Sequence, residues 1–397
     1  MKRKGNILVF TYWPLNDALI QTYTLPYVKI IRNIIDKERK IYLITLENNP
    51  NKELTEISPG VFNLQLPYRP LGFSAATGWL IQLFRLARFV RKKDIGVIHA
   101  WCTPAGSIAY FLSLITGGEL IIDSYEPHAE AMVENGSWKE NSAGFRFLFR
   151  MEKKMTHYAK HLIACTEEMK VYAERKFKWS GSLHVKPACV DLNKFFPVNI
   201  KDERLLEELN LKGKTIGLYA GKFGGIYLEE DVYRFFRESF YEFGNELVFL
   251  LLTNEKREKI DEWCSRFALP SDRIRSLFVP HNDVNRYMQL ADFAITPVKP
   301  IPSKRYCSPI KDGEYWACGL PVVITKEISD DSGIIIGENA GILMDDFTDS
   351  GLRRTARSLK HYLLSEGESD RKKRIRLIAE KYRNYDIAIN VYMDIYG

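Results

Sequence analysis

Hydrophobic positions along the chain fall into short apolar runs separated by longer stretches with helical spacing. Runs at residues 7–11, 41–45, 97–100, 120–123 and 162–165 predict β-strands. Between them, apolar residues three and four apart predict helices, among them 24–35, 79–92 and 144–158. A second series follows, with strands expected at 215–220, 247–252, 276–279, 293–296 and 322–325. Its helices include 229–243 and 256–267. Strand–helix alternation of this kind predicts an α/β fold with doubly wound parallel sheets covered on both faces. Two series predict two such domains, 1–197 and 198–375, because the polar stretch 199–214 separates them. The tail reads as helices, and the last of them, within 376–397, is rich in tyrosine. Ligands of open α/β sheets bind beyond the carboxyl ends of strands, and two domains facing each other would form a cleft there. Candidate groups are therefore sought just after strands.

Size and composition agree with this picture. A chain of 397 residues, with 46% hydrophobic and 27% charged residues, fits two globular domains. No apolar run approaches the roughly 18 residues that cross a bilayer. The basic-then-apolar start, MKRKGNILVF, has too short an apolar run for a signal peptide and reads better as a first strand. The six cysteines are scattered, with no Cys-x-x-Cys pair. This predicts reduced thiols, a cytoplasmic location and no zinc site. Of the net charge of +7, the first 200 residues hold 27 Lys/Arg against 18 Asp/Glu, so an anionic partner is expected on that half. The helix over 79–93 is basic and amphipathic, with Trp79, Leu83, Phe84, Ala87 and Val90 on one face. Such a helix suits either the cover of a sheet or an anionic membrane surface. Phe145, Phe147 and Phe149, with Arg146 and Arg150 interleaved, leave the same two readings open. No basic stripe or motif points to nucleic acid.

Three constellations carry candidate chemistry. In CSPIKDGEYWACGLPVVIT, Ser308 is expected to cap a helix that begins at Pro309 and ends before Gly319. Lys311 and Glu314, three apart, share a face near its N-terminus, where free N–H groups favour anions. Gly313 suits the close approach of a ligand to the backbone. The carboxylate of Glu314 suits a vicinal diol such as a ribose. A plain surface ion pair would read the same. In IGLYAGKFGGIY, a strand runs into Gly221-Lys222 and a glycine-rich turn, a place where backbone N–H groups and a lysine meet a phosphate. An exposed tight turn is the alternative. In the first domain, Asp123 and His128 flank a loop after a strand, and His99 ends another. Either histidine could position or deprotonate a hydroxyl, or be held in the core.

Taken in order, these segments resemble GT-B fold glycosyltransferases of the retaining family 4 type. The resemblance rests on Ser308-Pro309-x-Lys311-x-x-Glu314-Tyr315-x-Ala317-x-Gly319-x-Pro321-Val322-Val323. It is joined by Tyr219-Ala220-Gly221-Lys222, by Val190 to Pro197 and by Ala291 to Pro297. It implies a nucleotide-sugar donor, UDP- or GDP-linked, and no cofactor or bound metal. Glu314 would hold the ribose. Gly221, Lys222, Ser308, Pro309, Ile310 and Lys311 would hold the diphosphate. The loop with Val279 and His281 would meet the base. His128, Asp123 and Glu314 are the implied catalytic positions, with a saccharide or lipid-linked saccharide acceptor beside the first two. The implied activity is sugar transfer with retention, in surface polysaccharide or glycolipid synthesis at the inner membrane face. A silent subunit that binds nucleotide or a partner enzyme is the alternative. It is raised by Tyr306, which stands where many relatives carry a second Glu. Two other positions also depart from the family pattern. Tyr227 replaces a second basic residue, and Leu19-Ile20-Gln21 replaces a Gly-Gly.

Overall fold

The computed structural model describes residues 5–69 and 76–397. Contacts divide the chain into two compact units. One comprises 1–187 and 386–397, the other 188–385.

The first unit holds an eight-stranded sheet. Its strands are β1 (Asn6–Phe10), β2 (Ile41–Glu47), β3 (Thr55–Ser58), β4 (Val61–Pro67), β5 (Ile95–Trp101), β6 (Glu119–Tyr125), β7 (His161–Ala164) and β8 (Leu183–Val185). They lie in the order β3-β4-β2-β1-β5-β6-β7-β8, parallel except for the β3–β4 pair. The central strands are buried on both faces; Ile7 to Phe10 of β1 are wholly inaccessible. That burial explains the unbroken apolar runs of the sequence. The short edge strands β3 and β8 and the alternating β4 lie outside the predicted strands.

The second unit holds six parallel strands. They are β9 (Thr215–Ala220), β10 (Leu247–Leu252), β11 (Ile274–Leu277), β12 (Phe293–Thr296), β13 (Val322–Thr325) and β14 (Gly341–Met344). Their order is β11-β10-β9-β12-β13-β14. The order reverses at β9, so the loops after β9 and β12 flank a switch point, the usual ligand position in such sheets. Strand β11 begins two residues before the predicted 276–279, because Ile274 is the residue buried against the sheet. Strand β14 is not predicted; only Met344 of its four residues is fully buried.

The predicted helices are present as Leu25–Ile34, Ala76–Lys92, Ala143–Tyr158, Glu230–Phe243 and Arg257–Arg266. The helix Ala76–Lys92 covers the sheet through Leu86, Ala87 and Val90. Phe84, predicted on that covered face, instead stands exposed. A straight helix offers a sheet only a narrow stripe, and Leu86 takes the inward place. Among the described residues no helix is long and apolar enough to cross a membrane. All six cysteines are free thiols.

Candidate functional site

Glu314 sits on the helix Ile310–Ala317, which follows β12 and precedes β13. Its carboxylate is almost wholly buried. One oxygen, Oε2, accepts from Lys311 Nζ at 2.7 Å. The other, Oε1, accepts from His281 Nε2 at 3.2 Å. The far ring nitrogen, His281 Nδ1, lies 2.8 Å from Lys194 Nζ. An ammonium can only donate, so Nδ1 accepts and the proton of a neutral His281 is on Nε2, facing Glu314. Burial alone would raise the Glu314 pKa, but Lys311 and His281 hold it below the usual carboxylate range. The carboxylate is therefore ionised and held from two sides.

The helix start differs from expectation. Pro309, not Ser308, is the residue that enters the helix, with φ −64° and ψ 117°. Ser308 Oγ is occupied elsewhere: it accepts from the backbone N–H of Ala188 at 3.0 Å and from Arg383 Nη1. The hydroxyl thus does not cap the helix, and the first-turn N–H groups have no side-chain cap. Gly313 is also explained from within. A Cβ there would lie 2.9 Å from Val190 Cγ1 and 3.2 Å from Arg383 Cγ. The close approach comes from the chain itself rather than from a ligand. Gly319 takes φ +74° just past the helix, as its predicted place requires.

Beneath this helix lies a closed polar cluster. Asp312, Asp331 and Arg383 are all buried. Thr296 Oγ1 donates to Asp312 Oδ1, and Arg383 Nη2 donates to Asp331 Oδ1. Two carboxyls face one guanidinium, so one of them keeps its proton. Burial, with Asp331 alongside, pushes Asp312 well above the ordinary carboxylate range, and Asp312 bonds to Asp331.

The Gly221-Lys222 turn follows β9 at the switch point. Gly224 and Gly225 both take positive φ, 75° and 63°, so the turn needs glycine twice. Tyr219 donates its hydroxyl to the Lys222 carbonyl, and Ala220 N–H donates to the Tyr315 hydroxyl at 3.0 Å. Lys222 itself is exposed, with no carboxylate in ion-pair reach among the described residues. The turn is tied to the segment after β12: Leu228 N–H donates to Pro297 O, and Lys299 N–H to Ile226 O. Tyr227 packs here, its pKa pushed up to about 12 by burial. The Val279 side chain is in the core, while His281 is half-exposed and reaches Glu314 through its ring. Val279 therefore offers a ligand only its backbone. Tyr306 ends the short 3₁₀ turn Pro302–Tyr306 just before Cys307 and Ser308.

In the first unit, Asp123 lies two residues before the end of β6, inside a buried cluster. Its Oδ1 lies 3.3 Å from Lys186 Nζ and accepts from Ser124 N–H at 2.6 Å. Its Oδ2 accepts from the Tyr392 hydroxyl at 2.7 Å and lies 3.3 Å from His99 Nε2. The Tyr396 hydroxyl lies 2.6 Å from His99 Nδ1. Lys186 is inaccessible and sits 3.7 Å from the ring centre of Tyr27, a cation–π contact in a dry site. Burial opposes ionisation of Asp123, yet Lys186 and His99 bring its pKa down to about 2. Burial lowers the His99 pKa, so His99 is neutral. His128 opens the helix His128–Glu134, half-exposed, with Nδ1 3.1 Å from Glu126 Oε1. No contact joins it to Asp123 among the described residues.

The structure thus brings Glu314, Lys311 and His281 together, and sets Ser308 to Ile310 at the helix start. The sequence reading missed Lys194, Lys186 and Arg383. Lys186 directly follows β8 in His-Val-Lys-Pro, a strand-end position of the kind that singled out His99. Arg383 meets Ser308 from 75 residues away, and no local pattern announces that contact.

Comparison with known proteins follows the same line. No protein-family model and no curated sequence matches the chain. Solved structures do. The architecture is the GT-B fold of glycosyltransferases. Sucrose-phosphate synthase from Thermosynechococcus elongatus matches with TM-score 0.76 at 15% identity, over 99% of this chain and 98% of that one. WaaG, a glycosyltransferase involved in lipopolysaccharide biosynthesis, matches with TM-score 0.72 at 11% identity, over 98% and 100%. Anabaena HepE, solved in complex with UDP and glucose, matches with TM-score 0.71 at 11% identity, over the full length of both chains.

Proposed function

We propose that the protein is a glycosyltransferase that moves a sugar from a nucleotide-diphosphate sugar to an acceptor hydroxyl with retention. The observation that carries this reading is Glu314: an ionised, buried carboxylate whose partners Lys311 and His281 are partly open to solvent. It lies one turn into a helix whose first N–H groups have no side-chain cap. In this reading a ribose diol donates to Glu314 in place of Lys311 and His281. The diphosphate meets Lys222, the Ser308–Ile310 backbone and the displaced Lys311. HepE holds UDP and, in another structure, UDP-glucose, which favours a uridine donor here.

The chemistry then follows from charge. As the sugar–phosphate bond breaks, negative charge grows on the leaving diphosphate. Lys222 and the helix N–H groups stabilise it, the kind of term that dominates such catalysis. The acceptor hydroxyl adds to the same face of the sugar, and its proton passes to the leaving phosphate. His128, held by Glu126, positions the acceptor. Asp123 acts from behind, by holding the end of the strand that leads into this loop. The acceptor we propose is a saccharide or lipid-linked saccharide of a surface polysaccharide or glycolipid.

The test is nucleotide release from a panel of UDP-, GDP- and dTDP-sugars, with and without saccharide acceptors. Turnover of one donor that Glu314→Ala and Lys222→Ala both retain in full would overturn the site assignment. The second reading, a silent nucleotide-binding subunit, is favoured by Tyr306 at the place of a second Glu. Donor binding without turnover by any acceptor, coupled to activation of a partner enzyme, would support it instead.

A further inference from the structure

From the outer surface of the first unit, we infer a docking face for an anionic phospholipid bilayer. Three helices carry it: Ala76–Lys92, Thr103–Thr116 and Ala143–Tyr158. They are the crossovers β4→β5, β5→β6 and β6→β7, which step in one direction across the sheet. Right-handed connections place all three on the same face. Side chains confirm that they are neighbours. Arg91 Nη2 donates to Ile115 O at 2.9 Å, and Tyr110 packs edge-on against Tyr158 at 5.1 Å.

Their outward surfaces are unusual in two ways. Large apolar side chains stand in solvent: Leu80 and Ile81 at 55%, Phe84 at 69%, Leu114 at 51%, with Phe111 and Ile115 beside them in the chain. Isolated exposed apolar residues are ordinary, but six on two neighbouring helices form a candidate contact surface. The charge is also of one sign. The helix Ala76–Lys92 contains Arg85, Arg88, Arg91 and Lys92 and no acidic residue; the helix Thr103–Thr116 contains no charged residue. The helix Ala143–Tyr158 adds Arg146, Arg150, Lys153 and Lys154, all exposed. Its one carboxylate, Glu152, is buried and accepts from Ala129 N–H.

Apolar side chains flanked by cations, with no exposed carboxylate on any of the three helices, fit a surface that is greasy and negative. Phospholipid bilayers with anionic headgroups have that chemistry. A second copy of this chain does not, because a twofold contact through this face would set cations against cations. The inference is independent of the nucleotide-sugar reading, since none of these residues belongs to the Glu314 or Lys222 region.

The test is flotation of the full chain with vesicles. Expected is binding to phosphatidylcholine vesicles carrying about 30% phosphatidylglycerol, and at least ~tenfold weaker binding to pure phosphatidylcholine. The pair Arg85→Glu/Arg88→Glu and the pair Ile81→Ser/Phe84→Ser should each lower binding by about tenfold or more. Added salt should weaken the residual binding less for the charge pair than for the apolar pair, because fewer cations then face the vesicle. All four side chains are exposed, so thermal unfolding should match wild type. Nucleotide-sugar binding, measured on the same samples, should be unchanged. No binding to anionic vesicles at low salt, or equal binding by wild type and both variants, would overturn the inference. So would a dimer in sedimentation that Ile81→Ser/Phe84→Ser dissolves.

Discussion

Each unit contains a buried carboxylate held by one lysine and one histidine, and the two clusters differ in one respect. Around Asp123, Lys186 and His99 are wholly buried, and tyrosines close the remaining sides. Around Glu314, Lys311 and His281 keep 31% and 34% of their side chains in solvent. In the first case the partners cannot leave, so the trio acts as a lock that ties Tyr392 and Tyr396 to the strand ends. In the second they have solvent to move into, so in the proposed function the trio is a carboxylate held charged for a ligand. The same residue types thus give structure or function according to whether the partners have somewhere to go.

The largest expected effect breaks the lock. Asp123→Ala leaves Lys186 as a buried unpaired charge and should cost about 3–5 kcal/mol in urea unfolding. Full stability with only activity lost would mean that Asp123 is an open catalytic group and that the contrast is wrong. Glu314→Gln should behave in the opposite way. Losing hydrogen bonds to a charged group weakens nucleotide-sugar binding by about 1.5–3 kcal/mol, read by calorimetry. Its unfolding midpoint should move far less than that of Asp123→Ala.

A third prediction uses pH. The folded-state pKa of Asp123 is depressed to about 2, so its stabilisation is present above the ordinary carboxylate value and lost as pH falls toward 2. Asp312 is shifted the other way, first by burial and then by Asp331. Its contribution is present in acid and lost as pH rises through the raised value. Raising the pH above the ordinary carboxylate value should therefore lower the unfolding midpoint of wild type through this group, and Asp312→Asn should flatten that fall while leaving the loss toward pH 2 unchanged. A wild-type profile that Asp312→Asn leaves unaltered would mean that the pair holds no shared proton. The smallest effect belongs to Lys311→Ala. Lys311 is partly exposed and His281 still bonds the buried Glu314 once Lys311 is gone, so stability should fall by no more than about 1 kcal/mol in thermal melts. A drop of several kcal/mol would show that Lys311 is as locked as Lys186.

Much of this was legible in the sequence because central parallel strands must be apolar throughout. The runs at β1, β2, β9, β10 and β13 stand out for that reason. The strands that escaped are short or lie at sheet edges, where one face meets water and the apolar run shrinks to two or three residues, as in Leu183–Val185 and Gly341–Met344. Glu314 and Lys311 were legible through their helical spacing, and Gly319 through its stop. Ser308 was not, because a hydroxyl at a cap-like position is recruited by Arg383 from far along the chain. Gly313 was read as room for a ligand to close in, but Val190 and Arg383 are what approaches, which spacing could not say.

The most direct measurement is calorimetric binding of UDP-sugars and GDP-sugars to wild type and to Glu314→Ala, with urea unfolding of both in parallel. The account predicts that one donor class binds wild type, that Glu314→Ala loses at least about tenfold in affinity, and that both unfold at nearly the same midpoint. Equal affinity in the two proteins, or a large loss of stability in Glu314→Ala, would contradict it.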